Sequence, residues 1–137
     1  TIYKNVKIYR LVCPINTQQK IIEQTKFNRL KILYCNDIEK LHNVNHLACT
    51  LEELYCKGKC GIDQEGINKL RKIRKFNCFD NKNIFDVSHF SKTLEHLECN
   101  FDNIDKLGMS KFTNLKKISC ESYDKSDDIN DFPVIRI

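Results

Sequence analysis

Apolar residues recur along this chain in a short phrase that is repeated six times. The phrase consists of an aliphatic residue, two variable residues, a second apolar residue, one variable residue and a cysteine. The six copies are Ile8-Leu11-Cys13, Leu30-Leu33-Cys35, Leu51-Leu54-Cys56, Ile73-Phe76-Cys78, Leu94-Leu97-Cys99 and Leu115-Ile118-Cys120. Successive cysteines are 22, 21, 22, 21 and 21 residues apart. A fixed period of this length predicts a stack of repeats in which each repeat packs on its neighbours.

Between the phrases, apolar residues return at less regular spacing, and we expect them to cover the core from the opposite side. These segments are Ile38-Leu41-Val44-Leu47, Ile62-Ile67-Leu70, Ile84-Val87-Phe90 and Ile104-Leu107-Phe112. The phrases themselves predict short strands near residues 8–13, 30–35, 51–56, 73–78, 94–99 and 115–120. We assign all of residues 1–137 to one domain, with 124–137 as an acidic tail or a truncated cap.

The repeated phrase resembles that of leucine-rich repeat proteins, whose consensus is L-x-x-L-x-L-x-x-N/C and whose repeats contain 20 to 29 residues. Here cysteine takes the third core position, and the resemblance covers about residues 6–123. Asn81 occupies the consensus Asn position, whereas Ile38 and Lys59 stand at that position in two other copies. The side-chain ladder that joins successive turns is therefore predicted to be partial. The resemblance implies an α/β solenoid with a parallel sheet of about six strands on its concave face and short turns or helical turns on its convex face.

A second, longer period of 43 residues spans two repeats. It matches Val44 with Val87, His46 with His89, and Thr50-Leu51-Glu52 with Thr93-Leu94-Glu95. This period indicates that a pair of repeats was duplicated. The phrases at residues 60–64 and 86–90 are similar in style to leucine-rich repeat proteins of giant amoeba-infecting DNA viruses. That likeness implies a viral factor that engages a host protein.

Alternate residues of a strand face opposite sides, so the variable positions of the six phrases should form three columns on the concave face. The first column is Arg10, Ile32, Glu53, Lys75, His96 and Lys117. The second is Val12, Tyr34, Tyr55, Asn77, Glu98 and Ser119. The third is Pro14, Asn36, Lys57, Phe79, Asn100 and Glu121. At a strand spacing of about 4.8 Å, this face is about 24 Å wide, which suits a peptide or a small protein patch.

Aromatic residues cluster in these columns. Tyr34 and Tyr55 are adjacent in the second column and Phe79 lies diagonally beyond them, and exposed aromatic side chains commonly anchor protein interfaces. The predicted partner-binding residues are Tyr34, Tyr55, Asn77, Phe79, Lys75, His96 and Glu98. The alternative is that the aromatic residues only stabilise the pairing of neighbouring strands.

The cysteine column does not predict a metal centre, because a linear row of thiols cannot surround one zinc ion with four ligands. We therefore expect inert buried thiols, no cofactor, and a reducing intracellular compartment, the cytoplasm. Cys49 and Cys60 depart from the period and bracket Cys56. They are the candidates for exposed thiols, a local metal site or a regulatory disulfide.

The histidines also have structural explanations. His46 and His89 occupy equivalent turns about 10 Å apart and cannot share one metal ion, so we expect them, like His42, to form hydrogen bonds within turns. Only His96, beside Glu98, is predicted on the concave face. The sequence contains no nucleotide-binding loop, nucleophile elbow or zinc-protease helix motif, so nothing in it indicates an enzyme.

Charge adds one further candidate site. The chain has 23 basic and 18 acidic residues and a net charge of +5. Five of the seven residues at 69–75 are basic, which is compatible with nucleic-acid binding through Arg71, Lys72, Arg74 and Lys75. However, Leu70 and Ile73 are core positions of the repeat, so these charges are more simply explained as the solvated residues between them. No apolar run is long enough for a transmembrane helix.

These observations favour a non-enzymatic module that binds a peptide or a protein on its concave face. Two alternatives remain open at this point. The chain could be a structural component of an assembly or particle, or it could bind nucleic acid through its basic cluster. No membrane association is expected, and the sequence does not indicate an oligomeric state.

Overall fold

The computed structural model describes residues 7–24, 27–100 and 111–121. Within these residues, a six-stranded sheet has its strands in chain order, and every neighbouring pair is parallel. The strands are β1 (Arg10–Val12), β2 (Ile32–Tyr34), β3 (Glu53–Tyr55), β4 (Lys75–Asn77), β5 (His96–Asn100) and β6 (Lys117–Glu121). The chain is therefore an α/β solenoid of the predicted kind, with each repeat beside the next.

The register of the strands keeps equivalent repeat positions side by side. The paired positions form one row of middle core residues: Leu11, Leu33, Leu54, Phe76, Leu97 and Ile118. The backbone extends the pairing beyond the short strands, since the N–H of Cys35 donates to the carbonyl of Tyr55 at 2.8 Å. The N–H of Cys56 donates to the carbonyl of Asn77 at 2.9 Å. The predicted phase of the repeats is confirmed.

The core consists of the phrase residues and of the apolar residues that follow each strand. Leu33, Leu54 and Leu97 are 0 to 1% exposed. The residues predicted to cover the core are buried as well: Ile38, Leu41, Val44, Leu47, Ile62, Ile67, Leu70, Ile84, Val87 and Phe90. Phe112 is partly buried against this core. Ile104, Leu107 and the tail 124–137 lie outside the described residues.

Short helical turns connect the strands. The helix α1 spans Gln19–Gln24, and single 3₁₀ turns span Asn45–Leu47, Glu65–Ile67 and Ser88–Phe90. The first and third 3₁₀ turns begin alike, because φ and ψ are −124° and 17° at Val44 and −120° and 15° at Val87. This agreement supports the 43-residue period. No helix in the described part of the chain is both long enough and apolar enough to cross a membrane.

Two glutamine side chains form hydrogen bonds with backbone groups of the neighbouring turn. Gln19 Oε1 accepts hydrogen bonds from the N–H groups of His42 and Asn43 at 2.7 and 2.9 Å. Gln64 Oε1 accepts from the N–H groups of Phe85 and Asp86 at 3.1 and 2.9 Å. Each glutamine amide also donates to a carbonyl of the segment it contacts, at 2.8 Å. These bonds join adjacent repeats at positions where strand pairing has ended.

After β2, β3 and β4 the chain turns through a residue with positive φ. These residues are Asp37, Gly58 and Asp80, with φ of 62°, 65° and 60°. A side chain at position 58 would displace Asp37, because a Cβ there would lie 2.1 Å from Asp37 Oδ1. The left-handed conformation also disfavours most side chains at this position.

The residue buried after each of these turns occupies the consensus Asn position. Ile38 and Asn81 follow the positive-φ residue directly, but Cys60 follows Gly58 after one inserted residue, Lys59. Cys60 is 1% exposed, so the expectation of an exposed thiol is wrong for Cys60, whereas Cys49 is exposed. Because of the insertion, the inward-facing residue of this turn is Cys60 and not Lys59, which the repeat phrase placed at the consensus Asn position.

Asn81 joins its own turn to the preceding repeat. Its Nδ2 donates to the carbonyls of Cys56 and Ile62 at 2.9 and 3.0 Å, and its Oδ1 accepts from the N–H of Asn83 at 3.1 Å. The side chain is fully buried. Because Ile38 and Cys60 hold the same place in the two preceding turns, the asparagine ladder is partial there, as predicted.

Replacing Leu54 with Ala should lower the free energy of unfolding by about 2 to 5 kcal/mol, because it opens a cavity in the middle row of the core. Urea denaturation followed by circular dichroism measures this change. The exposed Lys72→Ala variant is the control and should change the free energy by less than about 0.5 kcal/mol. A Leu54→Ala loss as small as that of the control would contradict the buried row.

Asn81→Ala should lower the free energy of unfolding by about 1 to 3 kcal/mol, since it leaves two buried carbonyl groups without their donor. The same denaturation experiment applies. Asn83→Ala is a matched control, because Asn83 is exposed and its bond to Asn81 uses only the backbone. Equal losses in the two variants would show that the buried amide has no special role.

Candidate partner-binding face

The outward side chains of the six strands form one continuous surface, which we call the open face. Its first two columns are set by the strand register, which pairs Arg10 with Ile32 and Val12 with Tyr34 and continues in the same way to Lys117 and Ser119. The first two predicted columns are therefore present. Pairing also extends to Asn100 and Glu121 in the third column.

The second and third strands of the open face carry a stacked pair of tyrosines. The ring centroids of Tyr34 and Tyr55 are 4.4 Å apart and the rings are inclined by only 5°. Since strand spacing is about 4.8 Å, this contact follows directly from the register. The guanidinium carbon of Arg10 lies 4.8 Å from the centroid of Tyr34, so a cation covers the outer side of the pair.

Glu53 connects the tyrosine pair to the next strand. The hydroxyl of Tyr55 donates to Glu53 Oε2 at 2.9 Å, and Lys75 Nζ lies 3.4 Å from Glu53 Oε1. Partial burial raises the pKa of Tyr55, and the hydrogen bond to the Glu53 carboxylate raises it further. The hydroxyl of Tyr55 therefore remains a donor at neutral pH.

A second group lies beside the first. Asn77 Nδ2 donates to Glu98 Oε2 at 2.6 Å, and Asn77 Oδ1 accepts from the backbone N–H of Phe79 at 3.1 Å. Asn77 is only 7% exposed, whereas Glu98 is exposed. The structure thus places Asn77 on the predicted face but uses its amide to position Glu98. Phe79 is half-buried.

The seven predicted residues fall into these two groups, with His96 apart. Tyr34, Tyr55 and Lys75 are joined through Glu53, while Asn77, Phe79 and Glu98 form the second group. His96 is half-buried in the first column, as expected. Sequence reasoning placed Arg10 and Glu53 in the correct column but not in the site. The sequence could have indicated both residues, because each lies beside a tyrosine in the predicted columns.

One exposed apolar region adjoins the tyrosine pair. Val12 is 63% exposed and pairs with Tyr34, and Pro14 beyond it is also exposed. Half-buried Ile32 adds apolar surface on the neighbouring strand. The β1 to β3 end of the open face therefore combines aliphatic, aromatic and cationic groups.

Along the edge where the strands begin, five residues alternate in charge. We call this row the charge ladder, and its members are Lys31, Glu52, Arg74, Glu95 and Lys116. Lys31 Nζ lies 3.2 Å from Glu52, and Arg74 lies 3.7 Å from Glu52 and 2.5 Å from Glu95. Lys116 Nζ lies 2.7 Å from Glu95. Each charge meets its opposite on the adjacent repeat.

The charge ladder reduces the number of free cations in the basic cluster at residues 69–75. Leu70 and Ile73 are buried, as predicted. Arg74 belongs to the charge ladder and Lys75 pairs with Glu53, so two of the four proposed phosphate contacts already face carboxylates. The cluster therefore offers a weaker anion site than its sequence indicates.

The remaining candidates are the histidines of the turns and the thiols around Cys56. A ring nitrogen of His42 lies 3.2 Å from the carbonyl of Gly61, and one of His89 lies 3.1 Å from that of Ile67. Burial lowers the pKa of both His46 and His89, as befits equivalent turns. Among the described residues, no three His, Cys, Asp or Glu side chains are placed to hold a metal ion. The local metal site considered around Cys56 is therefore not formed.

The chain matches no protein-family model, and no curated protein resembles it significantly in sequence.

Glu95→Gln should make the protein less stable near neutral pH but not at very low pH. Lys116 and Arg74 hold the pKa of Glu95 at about 2, against about 4.5 for an unperturbed Glu. A carboxylate with a lowered pKa stabilises the folded state above pH 4.5, and this contribution disappears as the pH falls toward 2. Urea denaturation at pH 5, 4, 3 and 2 should show the difference between wild type and variant shrinking across this window.

The matched control for this titration is Glu39→Gln, which removes an exposed carboxylate that makes no ion pair within the described residues. The difference in free energy of unfolding between Glu39→Gln and wild type should not shrink in the same way between pH 5 and pH 2. A pH-independent difference for Glu95→Gln would show that the ion pairs of the charge ladder do not stabilise the fold in solution.

Proposed function

We propose that this chain is a non-enzymatic module that binds a peptide or a protein on its open face. The observation that carries the proposal is the stacked Tyr34–Tyr55 pair on β2 and β3, bordered by exposed Val12 and by Arg10. Aromatic and arginine side chains are the commonest energetic anchors of protein interfaces. The strand register fixes the pair before any partner arrives, which lowers the entropic cost of binding.

We further propose that the chain is a leucine-rich repeat protein, in which the open face is the concave surface. Three features support this: the period of 21 to 22 residues, the parallel order of the strands, and the bonds from Asn81 to the preceding turn. The likeness in style to repeat proteins of amoeba-infecting viruses makes a host protein the first partner to seek. Fold alone does not specify a function, so the proposal depends on the side chains of the face.

The proposed contact residues have unequal roles. Tyr34, Tyr55 and Phe79 supply apolar contact area, and Lys75, His96 and Glu98 supply polar contacts around it. Asn77 acts indirectly, because its amide holds the Glu98 carboxylate at 2.6 Å. Arg10 joins the set as a cation that is exposed and adjacent to the aromatic pair.

The first test is affinity capture from a nuclease-treated lysate of the presumed host, with wild type beside a Tyr34→Ala/Tyr55→Ala variant. A protein retained by wild type should be lost by the variant, and the affinity measured with the purified partner should fall about 30-fold or more. Tyr34→Phe/Tyr55→Phe is the matched control, because it keeps both rings and should retain most of the binding. Circular dichroism and a urea titration confirm that each variant is folded.

Three outcomes would contradict the proposal. Unchanged capture by the alanine variant would exclude the tyrosine pair as the anchor. Recovery of nucleic acid from an untreated lysate, with affinity falling steeply as salt rises, would favour the basic cluster. Concentration-dependent self-association with no captured protein would favour a structural component of an assembly.

A further inference from the structure

Two thiols from adjacent repeats meet inside the core. The Sγ atoms of Cys35 and Cys60 are 4.0 Å apart, although the residues are 25 positions apart in the chain. The two residues are 0% and 1% exposed. Cys35 follows β2, and Cys60 lies in the turn that follows β3. The contact therefore joins one repeat to the turn of the next.

Local geometry brings Cys60 to this place. Gly58 turns the chain with a φ of 65°, and the N–H of the inserted Lys59 donates to Asp37 Oδ1 at 2.9 Å. The N–H of Cys60 then donates to the carbonyl of Lys57 at 3.3 Å. These bonds anchor the turn on the preceding repeat and leave the side chain of Cys60 beside Cys35.

The thiols also differ in acidity. The contact with Cys35 lowers the pKa of Cys60, and a hydrogen bond with the backbone of Ile62 lowers it further. The same contact raises the pKa of Cys35, and burial raises it further. Because the thiolate is the reactive form, Cys60 is the better nucleophile of the two.

We propose that Cys35 and Cys60 are a modification site that a peroxide converts into a disulfide linking neighbouring repeats. A disulfide requires a sulfur separation of about 2.05 Å, so the sulfur atoms must approach by about 2 Å. The proposal requires that rotation of the two side chains supplies this movement. The turn that carries Cys60 is flanked by exposed Lys57 and Lys59, so opening of this one turn admits a small oxidant.

The chemistry balances with hydrogen peroxide as the only co-reactant. The Cys60 thiolate attacks one peroxide oxygen, the O–O bond breaks, and the departing hydroxide takes up a proton to form water. Cys60 is now a sulfenic acid. The Cys35 sulfur attacks the Cys60 sulfur and displaces hydroxide, which takes the Cys35 proton to form a second water. The two sulfurs together lose two electrons, and the peroxide gains them.

The test is mass spectrometry of the folded chain after treatment with hydrogen peroxide, blocking of remaining thiols and digestion with trypsin. Trypsin releases Cys35 in the peptide 32–40 and Cys60 in the peptide 60–69, while Cys49 and Cys56 remain together in 41–57. The expected product is a crosslink of 32–40 with 60–69 that dithiothreitol separates. The same treatment of the urea-unfolded chain should give much less of this product.

Variants separate this pair from the other thiols. Cys60→Ala and Cys35→Ala should each abolish the crosslink, whereas Cys49→Ser, which removes an exposed thiol, should leave it unchanged. The proposal fails if peptides 32–40 and 60–69 both remain singly blocked after oxidation of the folded chain. It also fails if Cys35 is joined to the peptide 41–57 instead.

Discussion

The parallel pairing of very short strands in a fixed register is the interaction on which the rest of this structure depends. Four of the six strands in the described part of the chain contain only three residues, yet each pairs with its neighbours at the same repeat position. A slip of one residue would exchange the two faces of a strand and place Tyr34 in the core and Leu33 on the surface. The buried leucine row therefore fixes the register, and the register fixes every contact on the open face.

Side chains on the open face contact one another as well as the solvent. Tyr34 and Tyr55 cover part of each other, Arg10 lies against one ring, and Glu53 holds the hydroxyl of the other. This network reduces the area that a partner can contact. It also holds the side chains in one arrangement, and the two effects act in opposite directions on affinity.

Much of the fold could be predicted because its signal is periodic. The six phrases located the strands, the core row and the columns of the open face. Contacts that break the period could not be found in this way. Cys60 was misplaced because the inserted Lys59 shifts it by one residue, and the equivalent residues Gln19 and Gln64 are 45 residues apart instead of 43. The partners of these glutamines do keep the 43-residue spacing, which shows that different side chains can reach the same backbone groups from different positions.

Interactions within the site were harder to predict because a solenoid brings together residues about 21 positions apart. Asn77 was expected at the surface because of its column, but it is buried and its amide donates to the carboxylate of Glu98 in the next repeat. Arg74 belongs to a basic run when it is considered along the chain, yet in the structure it lies between Glu52 and Glu95. Charge in such a protein is therefore best judged along the columns that cross the strands. By that criterion the positive and negative charges of the charge ladder nearly cancel. The end of the open face near Arg10, in contrast, keeps a cation beside apolar surface.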